Sequence, residues 1–131
     1  MPGDGNWWVG MDLVQISRIE KSVQQFGERF IQRVFTPHES GYALSSPALQ
    51  YERLAARFAA KEACIKALNL SEKGVNWRDM EVFKQTDGSC SLILHGVAQE
   101  QAMQRGITRI QLSLSHDGDY AAAVVVMARS G

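Results

Sequence analysis

One segment, RFAAKEACIKAL at residues 57–68, constrains the fold of this chain more than any other. Alanine is the best helix former and one of the smallest residues, so the segment predicts a helix that lets its neighbours approach closely. With its flanks, the predicted helix runs from about Leu49 to Leu70. Alanines and large apolar side chains cover nearly its whole circumference, which indicates packing on more than one side.

Charged side chains interrupt this apolar helix. Glu62 and Lys66 lie four residues apart within its broad apolar face, whereas Arg57 and Lys61 lie together at the edge of that face. An exposed Glu–Lys pair at this spacing stabilises a helix by only about 0.2–0.5 kcal/mol. In a partly buried position the cost of desolvation outweighs that gain, so we favour a functional pair that a metal or an anionic ligand completes.

Asp12 is a further carboxylate of interest, because it is the only charge in the apolar, strand-like segment WVGMDLVQI. One interpretation is an aspartate that accepts a hydrogen bond from a backbone N–H at the end of a strand. The other interpretation pairs Asp12 with Glu62 as oxygen ligands of Mg²⁺, which usually takes one or two carboxylates together with substrate phosphates. The residues alone leave both interpretations open.

The rest of the chain predicts an α+β fold. Two amphipathic helical stretches follow the first strand, and TPHE at residues 36–39 is a capping box that begins a third helix. The segments MEVFK and CSLILH, joined through Asp-Gly, predict a hairpin, which is followed by a helix and two final strands. This order is typical of an α+β protein, and we predict one domain over residues 1–131.

Composition narrows the classes of function. Lys and Arg together number 14, as do Asp and Glu, so the net charge gives no indication of a nucleic-acid partner. The two cysteines match no zinc-site spacing, and no apolar run reaches the ~18 residues that a membrane span needs. Residues 1–8 lack the apolar core of a signal peptide. We therefore expect a cytoplasmic protein without a membrane or nucleic-acid partner.

Six segments, in order along the chain, carry a resemblance to a known family: GMDLVQISRIE, FTPHE, RFAAKEACIKAL, WRDMEV, LHGVA and LSLSHDGDYAAAVVV. In these segments the chain resembles the holo-acyl-carrier-protein synthases, the short type of 4′-phosphopantetheinyl transferase. The resemblance spans residues 9–127 and rests most strongly on G-x-D and R-F-A-A-K-E-A-x-x-K-A. It implies the fold of that family, with a small antiparallel sheet packed against the long alanine-rich helix and shorter helices.

The resemblance also implies the reaction. Members of this family transfer the 4′-phosphopantetheine arm of coenzyme A to a serine of an apo acyl carrier protein and release adenosine 3′,5′-bisphosphate, with Mg²⁺ required. By motif, Asp12 and Glu62 would hold Mg²⁺, and Lys66 would contact a phosphate oxygen near the bond that breaks. Glu62 and His116 are both candidates for the general base. Whether the carrier protein serves fatty-acid synthesis or another pathway stays open.

The remaining assignments concern binding. The resemblance assigns four residues to the nucleotide end of coenzyme A: Arg57, Lys61, Gly88 and His116. Four basic residues at helical spacing in the first two helices are predicted to contact the acidic carrier protein: Arg18, Lys21, Arg29 and Arg33. For any single one of these four, an ordinary solvated helix surface is the alternative interpretation.

Family members of this type are homotrimers with active sites between subunits, and such an assembly would account for alanine on both sides of the long helix. The chain departs from the family pattern at Ile65, where many relatives have serine, and in residues 69–76 and 88–90. None of these departures touches Asp12, Glu62 or Lys66. Two other classes of function stay open: a Mg²⁺-dependent hydrolase of a nucleotide pyrophosphate such as coenzyme A, and a carrier-binding module without catalysis.

Overall fold

The computed structural model describes residues 6–129, and the elements occur in the predicted order. In chain order they are β1 (Trp7–Gln15), α1 (Ile16–Phe26), α2 (Glu28–Val34), α3 (Pro37–Leu44), α4 (Gln50–Leu68), a 3₁₀ turn (Trp77–Asp79), β2 (Met80–Lys84), β3 (Cys90–Leu94), α5 (Gly96–Gln104), β4 (Ile107–Asp117) and β5 (Tyr120–Arg129). This confirms the α+β class. Residues 1–5 and 130–131 of the predicted domain lie outside the described residues.

The strands form two antiparallel sheets rather than one. The larger sheet has the strand order β1-β5-β4, and β2 pairs with β3 in a separate hairpin. In the larger sheet Gly10 lies opposite Val125 and Asp12 lies opposite Ala123. One face of this sheet is covered by α4, whose alanines are fully buried at residues 55, 59, 60 and 63. The sheet thus holds β1 directly against the long helix.

Small residues let α4 approach β1 very closely. A Cβ built on Gly10 would lie 1.9 Å from the backbone oxygen of Ala63 and 2.9 Å from the backbone nitrogen of Ala67. Real Cβ atoms do not come so close to backbone atoms, so only glycine fits at this position of β1. Packing within one chain therefore accounts for the buried alanines of α4. The homotrimer that was expected to explain them is not needed for their burial.

The predicted capping box of α3 is confirmed. The Thr36 hydroxyl accepts a hydrogen bond from the Glu39 N–H at 3.2 Å, and the Glu39 carboxylate accepts one from the Thr36 N–H at 2.9 Å. Glu39 is fully buried, and its second oxygen accepts a hydrogen bond from the Val82 N–H at 2.8 Å. A residue that begins a helix thus also fastens α3 to β2.

The bounds of α4 differ slightly from the prediction. The helix ends at Leu68 because Asn69 adopts a left-handed conformation, with φ of 54°, and its N–H donates back to the carbonyls of Ile65 and Lys66. The single turn at Trp77–Asp79 was not predicted, because one turn is too short to produce a helical period. Among residues 6–129, no helix is long and apolar enough to cross a membrane. The cytoplasmic location stays a prediction.

Candidate active site

Asp12 of β1 meets Lys66 of α4 at the edge of the helix–sheet interface. The Lys66 ammonium lies 2.7 Å from Oδ1 of Asp12 and donates a second, longer bond of 3.3 Å to the Met11 carbonyl oxygen. The Asp12 side chain is 14% exposed and that of Lys66 is 54% exposed. Asp12 therefore binds a side chain rather than acting as a backbone cap, and Lys66 ion-pairs across the fold instead of along its own helix.

Glu62 lies beside this pair. Burial raises the pKa of Glu62, and the negative charge of Asp12 raises it further, whereas the Lys66 ammonium lowers it. Asp12 and Glu62 both line a cavity of about 400 Å³ between β1, α1 and α4. The structure thus brings together the three residues that the sequence singled out on two elements far apart in the chain.

Two neighbouring carboxylates at a cavity are suited to a hard divalent cation. Carboxylate oxygens are the ligands that Mg²⁺ prefers, and burial together with the neighbouring charge of Asp12 raises the pKa of Glu62, so a cation would stabilise its ionised form. Within residues 6–129, no three His, Cys, Asp or Glu side chains gather into a metal site. The donor set fits Mg²⁺, which keeps several waters and completes its coordination with substrate phosphates, better than a metal that needs a full protein cage.

A second cavity, of about 200 Å³, lies between α3, α4, the β2–β3 hairpin and the end of β4. Four of its lining residues carry or can carry positive charge: Arg53, Arg57, Lys84 and His116. Arg57 is only 4% exposed, and its Nε is buried without a hydrogen-bond partner. Burial lowers the pKa of the Arg57 guanidinium. A buried guanidinium with a free donor beside a cavity is suited to binding an anion.

The assignment of Lys61 to nucleotide phosphates is wrong. Its side chain is fully buried, and its ammonium donates to the Glu39 carboxylate at 2.8 Å and to the carbonyl oxygens of Trp77 and Met80. All three donors of the ammonium are used inside the protein, so none is left for a ligand. Lys61 instead ties α4 to α3 and to the start of β2.

Of the two other residues assigned to the nucleotide end, His116 lines the second cavity and Gly88 does not. Nε2 of His116 is 3.3 Å from a carboxylate oxygen of Glu52. Gly88 is exposed in the turn of the β2–β3 hairpin, with φ of 94°, and does not itself line the cavity. Lys84 and Cys90, which flank that turn, do line it. The strand ends of the hairpin thus border the cavity, whereas the role of Gly88 is to allow the tight turn between the two strands.

The four basic residues predicted to contact the carrier protein are all exposed. Arg18 lines the same cavity as Asp12 and Glu62. Arg29 and Arg33 line a third cavity, of about 470 Å³, together with Phe26 and Phe30. Phe30 lines both cavities, so the basic surface of α1 and α2 leads directly to the carboxylates.

Comparisons with known proteins agree with this geometry. Residues 8–125 match the model of the 4′-phosphopantetheinyl transferase superfamily. The chain belongs to this superfamily. It is 47% identical to the holo-[acyl-carrier-protein] synthase of Carboxydothermus hydrogenoformans over 92% of this chain and 96% of the relative, and 44% identical to that of Koribacter versatilis over 90% and 94%.

The same family appears among solved structures. The ACPS–CoA complex of Chronobacterium ammoniagenes superposes with a TM-score of 0.79 at 33% identity, over 95% of this chain and 98% of that chain. The fold and the holo-acyl-carrier-protein synthase class predicted from the resemblance are therefore confirmed. The roles of individual residues stay predictions that the geometry supports or, for Lys61, contradicts.

Sequence reasoning missed several residues at or near the candidate site. Arg53 lies one helical turn before Arg57, and that spacing was a signal. Tyr42 and Lys84 gave no signal, because they come from other elements that only the fold brings to α4. Asp119, at the β4–β5 turn, accepts hydrogen bonds from both the N–H and the hydroxyl of Ser17 and so holds the start of α1.

Proposed function

We propose that this chain transfers 4′-phosphopantetheine from coenzyme A to a serine of an apo acyl carrier protein, with Mg²⁺, and releases adenosine 3′,5′-bisphosphate. One observation carries the proposal: Asp12, Glu62 and Lys66 converge beside a cavity, and a second cavity along the same helix α4 is lined by cations. Family membership and the relative solved with coenzyme A support the same reaction.

Asp12 and Glu62 are the residues that would hold Mg²⁺ against the pyrophosphate of coenzyme A. When bound, Mg²⁺ supplies polarisation of the phosphoryl group and neutralisation of its charge. The serine oxygen of the carrier protein forms a bond to the phosphorus of the phosphopantetheine arm, and the P–O bond to the bisphosphate breaks. Such transfers depend mainly on positioning and on neutralising the charge of the phosphate oxygens.

Lys66 supplies an exposed point charge for this step. Its exposed ammonium already reaches the carboxylate of Asp12, so it would be close to a phosphate group bound beside Asp12 and Glu62 through Mg²⁺. An ammonium near the phosphate oxygens stabilises negative charge as the bond to the leaving group breaks. We therefore assign Lys66 to transition-state stabilisation rather than to substrate binding alone.

The serine proton needs an acceptor. Glu62 is the first candidate, because it lies at the cavity with Asp12 and because burial and the charge of Asp12 raise its pKa, which makes it a stronger base. His116 lies at the other cavity, where Glu52 contacts its ring. That position favours a role at the nucleotide end, so we place His116 with Arg57 as a contact to the adenosine bisphosphate portion.

The carrier protein would dock on α1 and α2. Arg18, Arg29 and Arg33 form an exposed basic surface that leads to the carboxylates, and Lys21 extends it along α1. Phe26 is 53% exposed and lines the same cavity as Arg29 and Arg33, so it adds an apolar contact to this surface. An acidic partner would be attracted by the arginines and oriented toward Asp12 and Glu62.

A homotrimer with active sites between subunits forms part of the same proposal. The outer face of β1 carries four apolar side chains that are each more than half exposed: Trp7, Val9, Met11 and Leu13. Alternation along the strand places all four on one side, away from α4. A contiguous apolar strip of this kind is typical of a protein–protein contact. Sedimentation equilibrium would test the trimer, and a monomer at micromolar concentration would contradict it.

The reaction itself is tested by intact mass spectrometry of an apo acyl carrier protein incubated with the chain, coenzyme A and Mg²⁺. The expected result is a gain of one phosphopantetheine mass that EDTA abolishes. Consumption of coenzyme A in a reaction from which the carrier protein is left out would instead support the pyrophosphate hydrolase. Neither gain nor consumption with several carrier proteins would leave a binding module and contradict the transferase.

A further inference from the structure

Three cationic side chains converge on the ring of Tyr42. The guanidinium carbons of Arg53 and Arg57 lie 4.1 Å and 4.7 Å from the ring centroid, and the Lys84 ammonium lies 5.1 Å from it. Tyr42 comes from α3, the two arginines from α4 and Lys84 from the end of β2. All four residues line the cavity of about 200 Å³. One aromatic ring thus gathers cations from two other elements at a single cavity.

The three positive charges of this cluster are not neutralised by nearby carboxylates. Among the described residues, none of the three cations has a carboxylate within ion-pair distance, and the carboxylate of Glu52 in the same cavity is directed at His116. Like charges so close together repel one another. The negative face of an aromatic ring attracts guanidinium and ammonium groups, most strongly where water is excluded. The ring of Tyr42 therefore offsets part of the repulsion among all three cations.

The orientation of the cluster is also fixed. The Tyr42 carbonyl oxygen accepts a hydrogen bond from Nη1 of Arg53 at 3.0 Å, so both the backbone and the ring of Tyr42 hold this guanidinium. Nη1 of Arg57 donates to the Arg53 carbonyl oxygen at 3.2 Å, whereas its buried Nε has no partner. Arg57 thus lines the cavity with one donor of its guanidinium left unsatisfied by the protein.

We propose that Tyr42 is a positioning residue, whose ring gathers Arg53, Arg57 and Lys84 into one receptor for a phosphate group of the nucleotide substrate. A dense group of two guanidinium groups and one ammonium matches a phosphate that carries more than one negative charge. Tyr42 does not touch the reacting atoms and acts through the three cations. The inference rests on the proposed use of this cavity for the nucleotide end of coenzyme A.

The test compares Tyr42→Leu, which removes the ring and keeps an apolar side chain, with Tyr42→Phe, which keeps the ring face. Isothermal titration calorimetry with adenosine 3′,5′-bisphosphate measures binding without catalysis. We expect Tyr42→Leu to weaken binding by roughly fivefold to thirtyfold and Tyr42→Phe to stay within about twofold of the unsubstituted chain. In steady-state assays, KM for coenzyme A rises in Tyr42→Leu while kcat is retained.

A double-mutant cycle with Lys84→Met shows whether Tyr42 acts through the cations. Lys84→Met should weaken binding in the unsubstituted chain and have little further effect in the Tyr42→Leu background. Fully additive effects, or unchanged binding in a folded Tyr42→Leu variant, would overturn the inference. If Tyr42→Leu does not fold, the test rests on Lys84→Met alone. Binding of adenosine 3′,5′-bisphosphate by Lys84→Met with the same affinity as by the unsubstituted chain would then overturn the inference. Failure of the unsubstituted chain to bind the bisphosphate at all would contradict the proposed function of the cavity.

Discussion

Gly10 of β1 and Ala63 of α4 are in direct backbone contact, since a Cβ on Gly10 would lie 1.9 Å from the Ala63 oxygen. This contact also sets the geometry of the site. Asp12 follows Gly10 by two residues on the same side of the strand, and Glu62 immediately precedes Ala63 on the helix. The closest approach of helix and sheet thus brings the two carboxylates to the same cavity.

Replacing Gly10 with alanine should therefore destabilise the protein. We expect Gly10→Ala to lower the free energy of unfolding by about 3 kcal/mol, because backbone atoms of α4 must shift to admit one methyl group. Gly41→Ala is the matched control, since no atom lies within 4 Å of a Cβ at that position of α3, and alanine there should stabilise the helix by up to about 1 kcal/mol. Urea unfolding measures both, and equal midpoints for the two variants would contradict the close contact.

The paired carboxylates predict a loss of Mg²⁺ binding on removing either one. Asp12→Ala and Glu62→Ala should each lower Mg²⁺-dependent transfer at least about 100-fold. Each variant keeps only one of the two carboxylates, and the positive charge of Lys66 beside it disfavours a cation. Glu100→Gln, at an exposed position of α5, is the control for loss of a single negative charge. Mg²⁺ titration by calorimetry provides the independent measurement. Full activity in either alanine variant, with a normal unfolding curve, would rule out the metal assignment.

The contrast between Lys61 and Lys66 shows what could be predicted from the sequence and what could not. Both lysines lie on α4 in a motif associated with phosphate chemistry, and the helical wheel gives the angle of each side chain. The helical wheel cannot tell which part of the protein packs against the face of the helix on which each lysine lies. Lys61 faces the buried Glu39 at the junction of α3 and β2, whereas Lys66 faces the open edge of β1. Long-range packing decides which ammonium is buried and which is exposed.

The same limit applies to the rest of the fold and site. Elements with strong local signals could be predicted: the capping box at Thr36, the hairpin with its turn at Gly88, and the alanine-rich helix. Asp12 was predictable because an isolated charge in an apolar strand is costly without a purpose. The cluster at Tyr42 could not be predicted, because three elements meet there and none carries a sequence pattern that points to the others.

Removal of the Lys66 charge should change both the rate and its pH dependence. Lys66→Met is expected to lower kcat about 100-fold with KM for coenzyme A within about threefold, since the ammonium acts on charge that develops in the transition state. The positive charge of Lys66 lowers the pKa of Glu62, so its loss should raise that pKa and move the acid limb of the pH–rate profile to higher pH. A defect confined to KM, or an unmoved acid limb, would contradict the assignment.

The two cysteines should differ in reactivity, and this difference reports on the second cavity. Burial raises the pKa of the fully buried Cys64 thiol to about 12, so it should resist alkylation in the folded protein near pH 8. Cys90 is partly exposed and lines the cavity beside Arg57. Iodoacetamide should label Cys90 first, and adenosine 3′,5′-bisphosphate should protect it. Peptide mass spectrometry measures both sites, and undiminished labelling of Cys90 at saturating bisphosphate would contradict binding in this cavity.

The exposed arginines of α2 predict an electrostatic contribution to carrier-protein docking. In Arg29→Glu/Arg33→Glu, KM for the apo carrier protein should rise at least about tenfold while kcat at saturation is retained, because the substitutions repel an acidic partner before any chemistry occurs. The effect should shrink as ionic strength rises, since salt screens exposed charges. Lys73→Glu, in the exposed loop after α4, reverses one charge away from α1 and α2 and should leave KM nearly unchanged. Equal defects in both variants would indicate a general effect of net charge instead of a docking surface on α2.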